Sequence, residues 1–413
     1  MNASIRNYAL VTAAYWGQTL SDGALRMLVL LHFNRIGYSP LQIAFLFLFY
    51  EFFGIVTNLL GGWVAARLGL KVTLFSGLIF QIIALSTLAR LNPAWSIAIS
   101  VAYVMASQAL SGIAKDLTKM SSKSAVKALV PADAKEGSLY KWVAILTGSK
   151  NALKGAGFFL GGAMLGWLGF APALWTMAGA LLLTLLTCVL ALPRDIGRAK
   201  EKIGFRGMFS MTPAVNILSA ARFFLFGARD VWFVVGLPVF LYDRLGWNFA
   251  QVGGFLAAWV IGYGIVQASA PALTRTSRSR NSPSGSAAVF WTFLLSTIPA
   301  LMALGFWRGV NPTSVIIAGL TIFGIVFAIN SAVHSYLILS YSDGDKVALN
   351  VGFYYMANAG GRLTGTVLSG WLFQTAGLPG CLWVSAVMAL IAGTLSILLP
   401  RVSGSPLPAR ATA

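Results

Sequence analysis

Twelve segments of the chain are long and apolar enough to cross a lipid bilayer as helices. One crossing takes about 20 mainly apolar residues. Hydrophobic residues make up 57% of the 413 positions and charged residues only 10%, against about 25% charged in ordinary soluble domains. A soluble protein could not bury that much apolar surface, so the sequence predicts an all-α integral membrane protein with 12 transmembrane helices. The segments are 8–33, 41–66, 72–90, 95–114, 140–168, 171–192, 213–242, 249–273, 287–307, 312–340, 347–374 and 377–399.

The distribution of lysine and arginine predicts the orientation of these helices. Cytoplasmic loops carry an excess of Lys and Arg. With both termini cytoplasmic, the inside segments hold 20 of these residues and the outside loops hold only four, Arg35, Arg90, Arg244 and Arg308. The sequence therefore predicts a multi-pass protein with both ends inside. The net charge of +19 reflects this topology and attraction to anionic membrane lipids rather than binding of nucleic acid.

The two halves of the chain are related in sequence. At an offset of 209, RIGYSPLQIAFLF at 35–47 matches RLGWNFAQVGGFL at 244–256. At an offset of 208, Lys154 matches Arg362, and Gly157, Gly162, Gly169 and Trp175 match Gly365, Gly370, Gly377 and Trp383. Such self-similarity indicates an internal repeat. We therefore expect an N-terminal six-helix bundle at 1–192, a basic cytoplasmic linker at 193–212, a C-terminal six-helix bundle at 213–400 and a cytoplasmic tail at 401–413.

Parallel six-helix repeats joined by a cytoplasmic linker resemble the major facilitator fold. The loop after the second predicted helix is similar to that superfamily's G-x3-D-R-x-G-R-[RK] motif, through Gly62, Arg67, Gly69 and Lys71. The resemblance implies that these residues form a gating loop. Ala66 stands where the superfamily has an acidic residue, which leaves the usual charge-relay role open.

Charged side chains inside the predicted helices are the candidates for function, because such residues normally face a partner or an aqueous cavity. Asp22 and Arg26 are four residues apart on the first helix and so lie on one face. They form either a self-neutralising pair that fixes helix packing or a cavity site that senses substrate or a proton. Lys150 and Lys154 show the same spacing on the fifth helix, without an acid beside them. They face substrate, or Lys150 snorkels to the interface.

The seventh and eleventh helices add further cations. Arg222 and Arg229 lie seven residues apart and so on nearly the same helix face, with Asp230 as the acid beside them. Arg362 on the eleventh helix is the repeat counterpart of Lys154. Arginine suits bidentate binding of phosphate-like oxygens, and lysine acts as a point charge. We predict that Lys150, Lys154, Arg222, Arg229 and Arg362 bind an anion, with Arg26 assisting while paired with Asp22.

Acidic residues within the predicted helices are fewer than the cations. They are Asp22, Glu51 and Asp230, against six cations. This surplus predicts a cavity that attracts anions and repels cationic drugs. Burial can raise the pKa of a carboxyl group into the working range of a transporter. The three acids are therefore candidates for proton coupling.

Lysines follow the fourth predicted helix at four-residue intervals. Lys115, Lys119, Lys123 and Lys127 would form a basic stripe on a helix. The stripe is either a face against solvent and lipid headgroups or an electrostatic funnel for anions entering from the cytoplasm. Asn330 and His334 are also four residues apart, and they form a hydrogen-bonded packing pair or a proton site. The two histidines and two distant cysteines indicate no metal cluster, and no cofactor is expected.

Several runs of the chain resemble the ArsJ-type organoarsenical efflux permeases. They cover much of the chain from the first to the eighth predicted helix and contain most of the charges described above. They are LSDGALRMLVLLHF (20–33), SPLQIAFLFLFYEFFGIVTNLLGGW (39–63), QALSGIAKDLTKMSSKS (108–124), WVAILTGSKNALKGAGFFLGG (142–162), LSAARFFLFGARDVWFVVGLPVFL (218–241) and VIGYGIVQASAP (260–271).

This resemblance implies a bacterial inner-membrane protein that exports 1-arseno-3-phosphoglycerate and thereby confers arsenate resistance. The functional partner it implies is a glyceraldehyde-3-phosphate dehydrogenase, which makes that ester when it uses arsenate in place of phosphate. The residues agree in kind, because trivalent arsenic favours soft thiolates whereas this chain offers cations for an oxyanion. An exporter or exchanger of ordinary phosphorylated metabolites is the nearest alternative. A membrane enzyme is disfavoured, since no catalytic constellation is visible.

Overall fold

The computed structural model describes residues 3–129, 136–192, 212–273, 284–342 and 347–400. Within these ranges the side chains of some residues are not described, namely 3–5, 8, 61–70, 120, 122–129, 136–149, 271–273, 339 and 347–349. The described residues form twelve α-helices and one π-helical segment, with no β-strand among them. The predicted tail at 401–413 lies outside the described residues. So does the predicted linker at 193–212, apart from Thr212.

The helices follow one another with short connections. They are α1 Ala3–Arg35, α2 Pro40–Leu46, α3 Leu48–Leu88, α4 Ile97–Leu129, α5 Glu136–Trp167, α6 Phe170–Ala191, α7 Pro213–Phe233, α8 Gly236–Val239, α9 Phe249–Leu273, α10 Gly285–Trp307, α11 Pro312–Ser340 and α12 Val347–Ser396, with the π-helical segment Phe240–Arg244 after α8. Within the described part of the chain, nine segments are long and apolar enough to span a membrane. Apolar side chains such as Leu183 and Leu190 on α6 are 67% and 86% exposed, as expected for a multi-pass protein whose outer surface contacts lipid.

Helix α3 combines two predicted spans, and its contacts with α4 show that the chain reverses within it. The backbone of Tyr50 packs closely against Gly112 of α4. Thirty-one residues later, Gln81 accepts a hydrogen bond of 2.8 Å from Ser111, also on α4. A straight helix would separate Tyr50 and Gln81 by about 46 Å at 1.5 Å per residue. Both halves of α3 therefore lie beside the same part of α4 and cross the membrane in opposite directions.

Helix α12 also contains two predicted spans. Gly377 interrupts it with φ 66° and ψ −169°, a conformation that residues with a side chain rarely adopt. Before this kink, Ser369 accepts hydrogen bonds from the backbone of Gly236, just beyond α7. After it, Ser385 donates to the carbonyl of Ala228 on α7 at 2.6 Å. Earlier in α12, Gly361 packs against Phe223 of α7, and after the kink Cys381 lies beside Gly236. Contacts therefore advance along α7 before the kink and return along it afterwards, so the two halves of α12 run in opposite directions.

The seventh predicted span, 213–242, is confirmed as the apolar segment Pro213–Arg244, which is long enough to cross a membrane. The helix within this segment is interrupted, since α7 ends at Phe233 and α8 begins at Gly236. Pro238 has no N–H to donate to a continuing helix. The freed N–H groups of Val235 and Gly236 both donate to Ser369 Oγ of α12, at 3.2 and 3.0 Å. The sequence did not predict this interruption.

Positions related by the repeat have matching local structure. Gly37 and Gly246 both have positive φ at the offset of 209, and Gly169 and Gly377 do so at 208. Ser39 and Gln42 exchange hydrogen bonds at the start of α2. Asn248 and Gln251 do the same at the start of α9. The duplicated sequence therefore builds duplicated turns and helix caps, as two pseudo-symmetric bundles require.

The two halves meet around the turns that follow α1 and the π-helical segment. Asn34 donates to Asp243 at 2.9 Å, and these two residues are themselves 209 positions apart. Contacts related by the repeat are reciprocal, because Gly162 packs against the carbonyl of Phe249 and Gly370 packs against that of Pro40. We call this region, 34–40 and 243–249 with the adjoining parts of α5 and α12, the closed end. A residue meeting its own counterpart places the pseudo-twofold axis there.

Glycines bring α1 and α5 into direct backbone contact. A Cβ at Gly23 would lie 2.6 Å from the carbonyl oxygen of Lys154, and one at Gly157 would lie 2.5 Å from that of Leu20. A Cβ at Gly161 would overlap the carbonyl of Ala24. Small residues allow such close helix packing within membranes. This contact fixes the position of Lys154 relative to α1.

We expect Gly161→Ala to lower the apparent melting temperature of the detergent-purified protein by several degrees, because α1 and α5 must separate to admit the methyl group. Gly179→Ala on α6 is the matched control, since no atom lies within 4 Å of a Cβ at that position. There the exchange should be neutral or stabilising, as glycine is unfavourable inside helices. Equal melting temperatures for the two variants would contradict the close α1–α5 contact.

Candidate functional site

A cavity of about 610 Å³ lies between the two halves. Residues of α1, α3, α4 and α5 line one side of it, and residues of α11 and α12 line the other. Along α12 it extends from Val351 to Arg362, which is about 16 Å of helix. Pockets of about 300–1,000 Å³ typically hold small molecules. Its charged lining residues are Lys115, Lys119, Lys150, Lys154, Arg362, Asp22, Glu51 and Asp116.

Among the described lining residues, five cations stand against three acids, so this part of the cavity is positively charged. Lys150, Lys154 and Arg362 were predicted from the sequence as anion ligands, and the structure places all three in the lining. The fold also brings in Lys115 and Lys119 from α4. Pairing within the lining then decides which of these cations are available to a ligand.

Glu51 links the two halves at the inner end of the cavity. One of its oxygens, Oε1, accepts from Arg26 Nη2 of α1 at 2.5 Å and from Arg362 Nη2 of α12 at 2.6 Å. The Glu51 side chain is 1% exposed and that of Arg26 is 6% exposed. Two guanidinium groups from opposite halves thus share a single buried carboxylate. Without it, the two cations would repel each other at close range in a low-dielectric environment.

Asp230 forms the second part of this ion-pair network. Its Oδ2 accepts from Arg362 Nε at 3.1 Å, and its Oδ1 contacts Arg229 Nη2 at 2.5 Å. Arg229 packs against the rings of Phe226 and Phe327 and is not among the residues that line the cavity. Arg362 is consequently anchored by two acids, one from each half.

The predicted pairing of Asp22 with Arg26 is wrong. Spacing of four residues places both on one face of α1, but the guanidinium of Arg26 lies over the rings of Phe47 and Tyr50 and reaches Glu51 instead. Tyr50 OH donates to Asp22 Oδ1 at 2.6 Å. Residues of the neighbouring α3 therefore take both members of the pair, and Asp22 faces the cavity.

Lys154 is a cavity cation without a carboxylate partner in the part of the chain that the structure describes. Its Nζ lies 5.9 Å from the ring centroid of Phe158, and no acid lies within 4.0 Å. Lys115 is similar, with its Nζ 4.0 Å from the ring centroid of Tyr50. An ammonium group held beside aromatic rings keeps donors available for an anion.

The sequence prediction missed Asp116 as a site residue. The predicted fourth span ended at 114, whereas α4 continues to Leu129 and carries Lys115, Asp116 and Lys119 along the cavity. Asp116 is 1% exposed, accepts from Thr57 at 2.5 Å and lies 3.6 Å from Lys119 Nζ. Lys119 also donates to Asn58. The sequence did carry a signal for this site, because Asp116 is a single acid inside a run of lysines.

Arg222 lies outside the cavity, in a polar cluster inside the C-terminal half. Its Nε donates to Asn358 at 3.2 Å, and its guanidinium lies 4.0 Å from the ring centroid of Phe226. The predicted hydrogen bond between Asn330 and His334 does not form. Asn330 donates to Thr292 at 2.9 Å, and both ring nitrogens of His334 are buried without a hydrogen-bond partner among the residues that the structure describes.

The remaining predicted site residues are only partly described. Gly62, Arg67 and Gly69 of the predicted gating loop lie in 61–70, and Lys123 and Lys127 of the predicted funnel lie in 122–129, two stretches whose side chains are not described. Lys71 donates to the carbonyl of Leu192 at the end of α6, at 2.9 Å. Lys71 thus connects the end of the predicted gating loop to α6.

A duplicated helical membrane protein with a charged cavity between its halves has the architecture of a secondary transporter. The family model of the Major Facilitator Superfamily matches residues 9–306 of the chain. The chain belongs to the major facilitator superfamily, and it is a secondary membrane transporter. No curated protein matches the chain.

We expect Glu51→Gln to lower the apparent melting temperature in detergent by several degrees. The substitution leaves Arg26 and Arg362 close together without their shared charge, and breaking a buried ion pair from one side typically costs about 3–5 kcal/mol. Asp243→Asn is the control, because the Asn34–Asp243 hydrogen bond also joins the halves but is exposed. Similar losses in both variants would show that Glu51 is not the main link between the halves.

Proposed function

We propose that the chain exports the organic anion 1-arseno-3-phosphoglycerate by alternating access of its two bundles around the central cavity. The observation that carries the proposal is the surplus of cations in the lining, with Lys154 unpaired among the described residues and Arg362 opposite it. A phosphoglycerate ester that bears an arsenate group has several negative charges. Lysine and arginine from opposite halves would bind its two ends, so that ligand binding draws the bundles together.

The cavity chemistry supports an oxyanion rather than trivalent arsenic. Trivalent arsenic prefers thiolates, but Cys188 and Cys381 are buried at 2% and 0% exposure and neither lines the cavity. The lining instead offers ammonium and guanidinium donors, which suit hard phosphate-like oxygens. The rival substrates with the same chemistry are ordinary phosphorylated metabolites.

The direction of transport is part of the proposal. With both termini in the cytoplasm of a bacterial inner membrane, the closed end faces outward and the cavity lies in the cytoplasmic half of the protein. A cavity on that side loads from the cytoplasm. The resemblance to ArsJ-type permeases supports efflux, arsenate resistance and a glyceraldehyde-3-phosphate dehydrogenase as the source of substrate.

Arsenic-sensitive bacteria that express this chain, the dehydrogenase, both or neither would test the substrate. After exposure to arsenate, we expect cellular arsenic to fall only when both proteins are present. Expression in the membrane is verified in each strain. Unchanged arsenic despite inserted protein would contradict organoarsenical export. Transport of 3-phosphoglycerate by such a protein would then favour the exporter of phosphorylated metabolites.

We expect Lys154→Ala and Arg362→Ala each to reduce export at least tenfold while the protein still inserts into the membrane. Each loses a charge-assisted contact with the anion, and such contacts are stronger than neutral hydrogen bonds. Arg308→Ala is the matched control, because Arg308 is an exposed cation beside Trp307 and is not part of the cavity. Unaffected export in the first two variants would contradict the proposed site.

A further inference from the structure

The repeat places an equivalent acid and cation in each half of the protein. Asp22 and Lys154 of the N-terminal half stand at an offset of 208 from Asp230 and Arg362 of the C-terminal half. The helix contacts around them lie at the same crossings but differ by one residue. Gly157 packs against the carbonyl of Leu20 and against Gly23, whereas Gly365 packs against the carbonyl of Gly227 and against Asp230. Each acid therefore lies at the crossing that carries its cation, with Asp230 at the contact itself and Asp22 one residue before it.

The acid and the cation are in contact in one pair and apart in the other, and we call these pairs closed and open. Asp230 and Arg362 form an ion pair of 3.1 Å. Asp22 and Lys154 form none within 4.0 Å in the described structure, although both line the cavity. Asp22 instead accepts the hydroxyl of Tyr50 at 2.6 Å. One pair is closed and its counterpart is open, although both lie at helix crossings related by the repeat.

The difference between lysine and arginine explains which pair can open. Arg362 binds two acids through a planar guanidinium, which fixes it in place. Lys154 has a flexible four-carbon chain and a single charged nitrogen, so a change of rotamer can carry it between partners. An unpaired cation inside the membrane is unfavourable by roughly 2.5–3.5 kcal/mol on insertion scales. Lys154 accordingly needs an anion in every state that is closed to water.

We propose that Asp22 is the exchangeable counter-ion of Lys154: in the substrate-free carrier Asp22 exchanges between Tyr50 and Lys154, and an anionic substrate displaces it from Lys154. This inference rests on the proposed transport of an anion. The open pair would present Lys154 to substrate. After release, the Asp22–Lys154 ion pair would neutralise the site so that the unloaded bundles can reorient. Asp22 would thus couple occupancy of the site to the return step.

The first experiment tests the pair without any substrate. The full-length chain is purified in detergent in a chloride buffer, and apparent melting temperatures are measured for the wild type, Asp22→Asn, Lys154→Gln and the double variant. We expect the double variant to lose less than the two single losses combined, as residues in contact do. The control combines Asp22→Asn with Lys119→Gln, which should be additive because Lys119 lies beside Asp116. Additive losses for Asp22 and Lys154 would overturn the proposal.

The second experiment tests displacement by an anion, with radiolabelled 3-phosphoglycerate as the probe. Tyr50→Phe keeps every charge but releases Asp22 from its hydrogen bond, so Asp22 competes better for Lys154. We expect the probe to bind several-fold more weakly to Tyr50→Phe and several-fold more tightly to Asp22→Asn. Unchanged binding by Tyr50→Phe would contradict displacement. If the wild type binds no probe, the proposed class of substrate fails, and the melting cycle still decides whether the pair exists.

The third experiment separates the return step from substrate binding. In proteoliposomes, exchange of 3-phosphoglycerate needs only the loaded carrier, whereas net efflux also needs the unloaded carrier to return. We expect Asp22→Asn to reduce net efflux at least tenfold more than it reduces exchange. Equal reductions in both modes would assign Asp22 to binding alone and overturn its role in the return.

Discussion

The architecture depends on one buried carboxylate that holds cations from both halves. Glu51 accepts from Arg26 and Arg362 through the same oxygen, so the inner end of the cavity is a junction between the bundles as well as part of its wall. Removing charges from water is unfavourable unless they are paired and hydrogen-bonded. The pairing of Arg362 with Glu51 and Asp230 satisfies that condition. Among the described residues it also leaves Lys154 and Lys115 as cavity cations that an entering anion can neutralise.

Glycines make this junction possible. Gly157 and Gly365 admit the backbones of α1 and α7 at contact distance, which brings Asp22 and Asp230 near the cations one turn away on α5 and α12. Membrane helices gain little from apolar contact with one another, so close packing and polar contacts hold them together. In this protein the two effects act at the same crossings. Close backbone contact sets the spacing of the charges, and the charges hold the crossing.

Composition and the repeat predicted the class of fold and the cation surplus, because both depend on counts and spacings within one sequence. The matching of Lys154 with Arg362 was likewise visible as an offset. The ion-pair partner of Arg26 could not be predicted from the sequence, because Arg26 could reach either Asp22 on its own helix or Glu51 on α3. Only the packing of Arg26 against Phe47 and Tyr50 decides between the two acids. The spacing of Arg222 and Arg229 correctly predicted a shared face. That face contacts α11 rather than the cavity, because Arg222 donates to the carbonyl of Ser331 and Arg229 lies over the ring of Phe327. This outcome depends on how the helices rotate in the bundle.

Duplication gives the two halves matching helices, and the difference between Lys154 and Arg362 makes the charged groups of the two halves chemically different. A symmetric cavity with arginine at both 154 and 362 would hold both cations in fixed networks and leave neither free to change partners. Lysine at one position converts that side into a point charge that can be shared between an acid and a ligand, while arginine on the other side keeps the halves connected. A carrier needs a cation that can change partners, because a site that only binds would not release its substrate. It also needs a cation that connects the halves, because otherwise substrate binding would not be transmitted to the opposite bundle. Under the proposed mechanism, the exchange of cation type between the repeats lets Lys154 change partners, while Arg362 contacts the substrate and keeps the halves connected.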